Sequence, residues 1–390
     1  MPKTIHINLV SHQLLPNIIT SLSYPDCDGV VIVLGDKKMT AKADALKAIY
    51  EDNNVKVIDT VTSEGDSHDY LSQLNCAKLI KEKLTKFYAD ATIMLNLTGG
   101  TKPMALAYSD VFRELDNCHR LYTDTTNKCI RLMNELNVTI PFHSVMDLKS
   151  YLKAYDFRIT AQQSLTKLHA NSQLTKRLAK RLCGPDLNAV AILNKFASEA
   201  RDQWQTKNQS SPLPMQNNRV FSSQLKELLE DYDNGAVKLT RDTIEFTTNQ
   251  SAVYFGGIWL EEYVALCAID ADVGVVGMGV NGVWGDTHGR SNKVKNEFDL
   301  LLLHHNQLLV IECKTSKFDE SGVGQQVINK LDVLTKKLSG GFSKSLVVSV
   351  NRLPDAAAER AKQYGIAFCV GSEITKITDK IKHWKDTVSG

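Results

Sequence analysis

The sequence predicts an α/β protein in which two α/β domains are separated by a mainly helical segment. Residues 1–145 alternate short apolar runs with amphipathic stretches, which is typical of βα units around a mainly parallel sheet. Residues 146–250 change to longer helical patterns followed by a short hairpin. Residues 251–390 return to an α/β pattern and contain two strongly apolar strands joined by a turn. We take these three ranges as the predicted domains.

The N-terminal domain is predicted to have a Rossmann-like fold. The strands are rich in Ile, Val and Leu, as expected when helices cover both faces of a sheet. The predicted strands are Thr4–Val10, Val30–Leu34, Val55–Asp59, Thr92–Leu97 and Arg120–Thr123, followed by a hairpin of Cys129–Met133 and Asn137–Pro141. The predicted helices are Leu14–Ser21, Ala41–Asp52, Asp69–Tyr88 and Met104–Leu115.

The middle segment is predicted to be a connector with a winged-helix-like end, formed by a helix and a small hairpin. Such a piece can bind nucleic acid, but a structural role is the preferred interpretation. The predicted helices are Leu152–Arg181, Leu187–Trp204 and Ser222–Tyr232, and the predicted strands are Ala236–Lys238 and Thr243–Thr247.

The C-terminal domain is predicted to begin with a helix, a short strand and a glycine-rich loop, GMGVNGVWGDTHGRSNKVKN. Two apolar strands, a helix, a strand, a helix and a final strand follow. These elements are predicted at Phe255–Asp270, Val273–Val276, Glu297–Leu303, Leu308–Cys313, Gly324–Leu338, Ser345–Val350, Asp355–Tyr364 and Ala367–Val370.

Composition excludes several classes of protein. Hydrophobic residues make up 43% of the 390 residues, enough for a full core, and the net charge of +2 does not mark a dedicated nucleic-acid binder. The eight cysteines form no CxxC pair, which argues against a zinc ribbon, a thioredoxin-type site or a disulfide framework. The N-terminus lacks the layout of a signal peptide, and no apolar run approaches the ~20 residues that cross a bilayer. We therefore expect a soluble, cytoplasmic protein with no membrane partner.

The strongest chemical signal lies in NEFDLLLLHHNQLLVIECKT. A turn at His304–Gln307 would place Asp299 directly opposite Glu312, with Cβ atoms about 4.5–5.5 Å apart. Side chains alternate along a strand, so Lys314 shares the face of Glu312, and Cys313 points to the other face. Two carboxylates at this distance repel each other unless a cation lies between them.

This arrangement suits a hard divalent cation, which prefers carboxylate, carbonyl and water oxygens. Asp299, Glu312 and the backbone carbonyl of Cys313 are the predicted ligands of Mn²⁺ or Mg²⁺. The metal would stabilise charge on a phosphodiester and activate a water, and Lys314 would orient it. The alternative is a pair of strand-end charges that face solvent.

The spacing D-x(12)-E-x-K, preceded by a helix that carries Glu, resembles the PD-(D/E)xK nuclease superfamily. The resemblance implies that Asp299, Glu312 and Lys314 are catalytic and that an upstream acid comes from the helix GGIWLEEYV. Adjacent helical residues point about 100° apart, so Glu261 or Glu262 can face the site, but not both. We prefer Glu261, because WLE matches the first motif of the superfamily.

Several residues around this motif are candidates for contact with nucleic acid. Lys330 matches a position that is often basic in the superfamily, although a solvated lysine is the alternative. Arg290, Lys293 and Lys295 precede Asp299 in a glycine-rich segment that resembles a mobile flap, where they would follow a phosphate backbone. Trp284 would stack on an unpaired base or, alternatively, anchor the loop.

A second motif, NLTGGTK, lies between a strand and a helix that has Pro103 in its first turn. Two glycines permit close approach to the backbone, and amide groups at a helix N-terminus attract an anion. The spacing excludes a P-loop and a GxGxxG dinucleotide site. A tight turn without a ligand is the alternative.

N-x-T-G-G-T-K resembles the signature of CRISPR-associated Rossmann-fold (CARF) domains, which bind cyclic oligoadenylates. The resemblance implies a homodimer in which two such loops share one ring-shaped ligand. A second binding loop would follow the first strand, at Val10–Gln13. The implied ligand-binding residues are Ser11, Gln13, Asn96, Thr98, Gly99, Gly100, Thr101 and Lys102.

Together the two resemblances imply a CARF plus PD-(D/E)xK ancillary nuclease of type III CRISPR antiviral defence. We expect a metal-dependent endonuclease activated by cyclic oligoadenylate, with cyclic tetra-adenylate preferred over cyclic hexa-adenylate. Single-stranded DNA, RNA and nicked duplex DNA all remain open as substrates. The alternative is a non-catalytic sensor or transcriptional regulator with a degenerate nuclease domain.

Overall fold

A computed structural model describes residues 3–24, 26–170, 172–215, 221–285, 294–318, 323–338 and 341–389. The chain divides into two compact units. The first consists of Met1–Ile159, Gly282–Asn296 and Gly340–Phe342, and the second of Thr160–Asn281, Glu297–Ser339 and Ser343–Gly390. The fold class is the predicted one, an α/β protein, with two larger sheets of mixed strand direction and a small antiparallel sheet.

The first unit is built around a seven-stranded sheet. Its strands are β1 Thr4–Leu9, β2 Gly29–Leu34, β3 Lys56–Thr62, β4 Thr92–Asn96, β5 Cys118–Asp124, β6 Cys129–Leu132 and β7 Thr139–Pro141. The strand order is β3-β2-β1-β4-β5-β6-β7. The first five strands pair in parallel, whereas β6 pairs antiparallel with both β5 and β7. The predicted strands and closing hairpin are confirmed, with end shifts of up to three residues.

The helices of this unit also follow the prediction. They are α1 Leu15–Ser23, α2 Thr40–Asp52, α3 Tyr70–Phe87, α4 Lys102–Phe112 and a further helix, α5 Leu148–Ala154. β1, β2 and β4 are almost wholly buried, and one apolar core joins β1 and β4 to α3 and α4. The carboxyl ends of β1 and β4 therefore lie side by side, where each is followed by a predicted binding loop.

The rest of the chain forms a six-stranded sheet, a small three-stranded sheet and the surrounding helices. Its strands are β8 Phe157–Ala161, β9 Leu213–Pro214, β10 Val237–Leu239, β11 Thr243–Phe246, β12 Val275–Trp284, β13 Val294–His304, β14 Gln307–Lys314, β15 Ser343–Ser349 and β16 Ala367–Val370. Its helices are α6 Leu165–Ala170, α7 Ser172–Leu182, α8 Ala189–Lys207, α9 Ser223–Asp231, α10 Asn249–Val253, α11 Trp259–Asp270, α12 Val323–Lys337, α13 Asp355–Gln363 and α14 Ile377–Ser389. The larger sheet has the order β16-β15-β14-β13-β12-β8, and the smaller one β10-β11-β9.

Two element predictions were wrong. The single helix expected over Leu152–Arg181 is interrupted, because the chain turns through a left-handed residue, Asp156 (φ 64°), and then extends as edge strand β8. The expected glycine-rich loop begins instead as β12, which runs as far as Trp284. A Cβ at Gly282 would lie 2.4 Å from the Phe157 ring, so glycine is what lets the backbone approach this closely.

The middle segment packs into the same hydrophobic core as the C-terminal strands. Leu178 of α7, Leu193 of α8 and Leu229 of α9 belong to one buried cluster with Leu300 of β13 and Val348 of β15. The helix and hairpin expected near residue 222 are present as α9 and β10–β11. The middle segment is therefore part of the folding unit that holds the carboxylate hairpin.

The central helical stretch of this unit, Asn249–Asp270, is long and apolar enough by composition to cross a membrane. About 61% of its most apolar window is buried within the protein, and it includes the fully buried Trp259. A π-helical turn at Tyr254–Ile258 separates α10 from α11. These features are those of a core helix.

Candidate functional site

The β13–β14 hairpin has the register predicted from its turn. His304 pairs with Gln307 and Leu300 pairs with Ile311. The two residues at the tip, His305 and Asn306, both have left-handed backbone angles (φ 47° and 62°), which match the twist of a tight hairpin. The pairing ends at Leu300 and Ile311, and Asp299 and Glu312 are the next residue on each strand.

The acidic groups of the hairpin are held by a small network of donors. The Oδ2 atom of Asp299 accepts a hydrogen bond from the backbone N–H of Cys313 at 2.7 Å. Glu312 is 6% exposed, and its Oε1 atom lies 2.7 Å from Nζ of Lys314 and 3.8 Å from Nζ of Lys330. The structure thus places Lys330 beside the carboxylates, on α12.

Burial and like charge raise the pKa values of two of the acids. Burial is the main cause for Asp299, and the charge of Glu312 adds to it, whereas the Cys313 N–H, Lys314 and Lys330 act in the opposite direction. For Glu261, burial and then the charges of Asp299 and Glu297 raise the pKa to about 8. These carboxyl groups therefore ionise at a cost that a bound cation would offset.

Of the two neighbouring acids on α11, the structure turns Glu261 towards the hairpin. The pKa of Glu261 responds to the charges of Asp299, Lys314 and Glu312. Glu262 instead accepts a hydrogen bond from Oγ1 of Thr175 at 3.4 Å, and burial raises its pKa to about 7. The preferred assignment thus agrees with the geometry.

Lys314 is protonated in this arrangement. Burial lowers the pKa of its ammonium, but the charge of Glu312, the hydrogen bond to it and the charge of Asp299 outweigh burial and leave the pKa raised. Burial also raises the pKa of the Cys313 thiol well above its usual value, so this thiol stays neutral. The backbone carbonyl of Cys313 is then its available metal ligand.

The donor set fits a hard divalent cation. Within the described residues, no group of three or more His, Cys, Asp and Glu side chains is arranged to hold a metal ion. Mg²⁺, however, is usually bound by one or two carboxylates, several waters and substrate phosphates. The half-buried Asp299 and the buried Glu312 meet that need together with the Cys313 carbonyl.

Trp284, the last residue of β12, is anchored by its neighbours. Trp284 donates a hydrogen bond from Nε1 to Oδ1 of Asn296 at 2.6 Å, and it packs edge-on against Phe157 with ring centroids 4.9 Å apart. These contacts correspond to the anchoring alternative for Trp284. Lys295 is exposed at the start of β13, whereas Arg290 and Lys293 lie outside the described residues.

Sequence analysis missed one group of side chains at this site. A cavity of about 370 Å³ adjoins Glu261 and Lys314, and α8 lines it with Asn194, Ser198 and Arg201. Their spacing of four and three residues marks one helix face, and this was the available sequence signal. This spacing does not reveal which other elements that helix face packs against.

The NLTGGTK loop connects β4 to α4 and packs directly against the end of β1. A Cβ at Gly99 would lie 2.0 Å from the carbonyl oxygen of Leu9, and Gly100 has φ 72°, so both positions require glycine. Thr101 caps α4 by accepting from the N–H of Met104, and its hydroxyl also donates to the carbonyl of Ser67.

Some polar residues of the predicted ligand site are inside the protein and support the loop, and others reach the surface. Asn96 is fully buried, donates to Oδ1 of Asn17 at 3.0 Å and accepts from the N–H of Thr98. The Thr98 hydroxyl bonds to that of Thr123 at 3.0 Å. These residues support the loop from below.

The other predicted ligand residues reach the surface. Gln13 and Lys102 are exposed, whereas Ser11 is half-buried and donates its hydroxyl to the carbonyl of Gln13 at 2.9 Å. Because β1 and β4 are neighbours, the structure brings both loops to one sheet edge, where a strand-to-helix loop commonly binds ligands.

The raised pKa of Glu261 predicts a pH-dependent stability. Its pKa of about 8 exceeds the ordinary 4.5, so without metal the folded chain binds more protons than the unfolded chain between these values. The free energy of unfolding therefore falls as pH rises through this window. Glu261→Gln should flatten the dependence; an effect of about 1 kcal/mol would correspond to roughly 2–4 °C in Tm.

Thermal melts in a metal chelator near pH 5 and pH 8 would measure this effect. Glu359→Gln is the matched control, because Glu359 lies exposed on α13 and pairs with Lys362. It should keep the pH dependence of the parent chain. An equal dependence in the Glu261→Gln variant would contradict the burial of this carboxyl.

Comparisons with known proteins bear on both sites. Residues 5–151 match the family described as the Card1 CARF domain, and residues 249–388 match the family described as the Card1-like endonuclease domain. No curated protein matches significantly. VC1899 from Vibrio cholerae has a similar structure, with a TM-score of 0.84, 17% identity and 99% coverage of both chains.

A second similar structure is Can2 from Sulfobacillus thermosulfidooxidans in complex with cyclic tetra-adenylate. It has a TM-score of 0.73 and 22% identity, with 98% of this chain and 97% of that chain covered. At these identities the structural matches show a shared fold over nearly the whole length. With both family matches in the expected order, the chain belongs to the CARF-endonuclease family of type III CRISPR ancillary effectors.

Proposed function

We propose that this protein is a divalent-metal-dependent nuclease that cleaves single-stranded DNA or RNA, or nicks DNA, when cyclic tetra-adenylate binds its CARF domain. The nuclease assignment is carried by the cluster of the buried Glu312 with the half-buried Asp299 and Lys314 within an endonuclease domain. The choice of activator is supported by the Can2 structure, which contains cyclic tetra-adenylate. Cyclic hexa-adenylate is the alternative ring. Mn²⁺ and Mg²⁺ both suit the oxygen donors.

In the proposed mechanism, Asp299, Glu312 and the Cys313 carbonyl hold the metal. When bound, the metal supplies charge stabilisation for the phosphodiester and a lower pKa for an attacking water. Lys314, protonated and 2.7 Å from Glu312, donates hydrogen bonds that orient the water or a phosphate oxygen. Glu261, whose pKa is raised to about 8, would exchange a proton with the reacting groups.

The alternative, a sensor with a degenerate nuclease domain, fits the site less well. Three acids and two lysines converge here, and two of the acids have strongly raised pKa values. Such an arrangement costs folding free energy and is characteristic of functional sites. A domain that had lost catalysis would have no reason to keep like charges together at the expense of its stability.

Removing either metal-binding carboxylate should abolish cleavage. Asp299→Asn and Glu312→Gln should show no activated cleavage of a labelled single-stranded oligonucleotide with Mn²⁺ or Mg²⁺, because the metal loses a charged ligand. Lys314→Ala should lower kcat by about 10²–10⁴-fold, the usual contribution of a positioned acid–base group.

The control for these variants is Glu359→Gln, which should cleave as the parent does. All variants should bind cyclic tetra-adenylate with unchanged affinity, because the ligand site is in the other domain. Near-normal cleavage by Glu312→Gln would show that the catalytic centre is elsewhere.

Loss of the exposed cation at the start of α4 should weaken ligand binding. Lys102→Ala removes a positive charge beside the helix N-terminus, so isothermal titration should give a cyclic tetra-adenylate Kd about tenfold higher, a loss of roughly 1.4 kcal/mol. Lys78→Ala, an exposed lysine of α3, is the matched control. Equal affinity in the two variants would mean that NLTGGTK is a structural turn.

We also propose that the protein is a cytoplasmic homodimer in which one ring is bound across the twofold axis of the CARF domains. Support comes from the even symmetry of the ligand and from eight free cysteines, as expected in a reducing compartment. A ligand activates only if it binds the active arrangement more tightly than the idle one, and substrate should in turn tighten the ligand.

The dimer proposal predicts that ligand binding changes the shape of the protein particle but not its oligomeric mass. Light scattering should give a dimer with and without cyclic tetra-adenylate, and small-angle scattering should show a different profile once ligand is bound. A ligand-bound monomer, or an identical profile while cleavage is switched on, would contradict it.

A further inference from the structure

The cavity of about 370 Å³ beside the carboxylate hairpin has walls from two parts of the chain. Glu261 of α11 and Lys314 at the end of β14 form one side. Asn194, Ser198 and Arg201 form another, and they come from α8 of the middle segment. A helix for which sequence analysis found no chemical role thus borders the proposed catalytic centre.

Two glycines in the π-helical turn before α11 line this cavity. A Cβ at Gly256 would lie 3.4 Å from Cζ of the Arg201 guanidinium, so any larger side chain would compete with it for space. Gly257 has φ 157°, a value that other residues rarely adopt, and its Cβ would lie 3.4 Å from Oγ1 of Thr315. π-Helical turns of this kind occur frequently at functional sites.

The α8 wall carries polar groups that lack partners. Arg201 is half-buried, and no carboxylate in the described part of the chain lies within ion-pair distance of its guanidinium. Arg181, by contrast, is paired with Asp186 at 2.6 Å. Oδ1 of Asn194 is buried and has no hydrogen-bond partner among the described residues. Polar groups of this kind usually have a partner, and the guanidinium of Arg201 is free to accept an anionic one.

We propose that Arg201 binds a backbone phosphate of the substrate strand next to the scissile phosphate. This inference rests on the proposed nuclease function. The five N–H donors of guanidinium match phosphate oxygens in a bidentate geometry. A strand that presents its scissile phosphate to Lys314 has the Arg201 wall beside it, because both residues line one cavity.

A binding assay that does not depend on cleavage tests this inference. The background is Glu312→Gln, and the probe is a fluorescent single-stranded DNA oligonucleotide, titrated at several salt concentrations with cyclic tetra-adenylate present. Adding Arg201→Ala should weaken binding about tenfold. It should also reduce the slope of log K against log salt by about 0.7, the value for one phosphate contact on a single strand.

Lys195→Ala is the matched control, because Lys195 lies exposed on α8, beside Glu199. It removes the same charge and should leave affinity and salt slope unchanged. Arg201→Lys keeps the charge and a fold close to the parent, and it should still lose severalfold in affinity, because an ammonium cannot bind in the bidentate manner.

Unchanged binding by Arg201→Ala, or by Arg201→Lys where the alanine variant fails to fold, overturns the inference. So does an equal loss in the Lys195→Ala control. Cleavage by the parent chain is measured in parallel and tests the nuclease proposal separately. Binding that depends on Arg201 without any cleavage by the parent would refute catalysis while leaving the phosphate site intact.

Discussion

Two like charges, largely withdrawn from water on one hairpin, are the constraint on which the rest of this site depends. Asp299 and Glu312 face each other across two strands of Leu, Val and Ile, and Glu261 approaches from α11. Every nearby donor offsets some of that charge, namely Lys314, Lys330 and the Cys313 N–H. The remaining excess appears as raised pKa values, which prepares the site for a cation.

Sequence reasoning worked where short-range rules determine the geometry. A tight turn at His304–Gln307 sets the hairpin register, and strand alternation then places Asp299, Glu312 and Lys314 on one face. In the same way, paired glycines and Pro103 in the first turn of the following helix identify the loop that ends at Lys102. The helical period also separates Glu261 from Glu262, although which of them faces the hairpin required a resemblance.

Sequence reasoning failed where the structure of a segment depends on a distant part of the chain. Phe157–Ala161 forms a strand because it pairs at the edge of the larger sheet, and nothing in its own period indicates that partner. The glycines of β12 read as a loop, but Gly282 is a strand residue that makes room for Phe157. Arg201 was overlooked for the same reason, since its role depends on where α8 packs against α11 and β14.

The shared core of the middle segment and the hairpin has a practical consequence for protein engineering. The endonuclease family match begins at residue 249, but the buried cluster beneath it extends back to Leu168. A fragment cut at the family boundary would leave the apolar faces of α11 and β13 open to water. A fusion of this catalytic domain to another sensor must therefore include the preceding helices. The family match begins later in the chain than the hydrophobic core that the domain needs in order to fold.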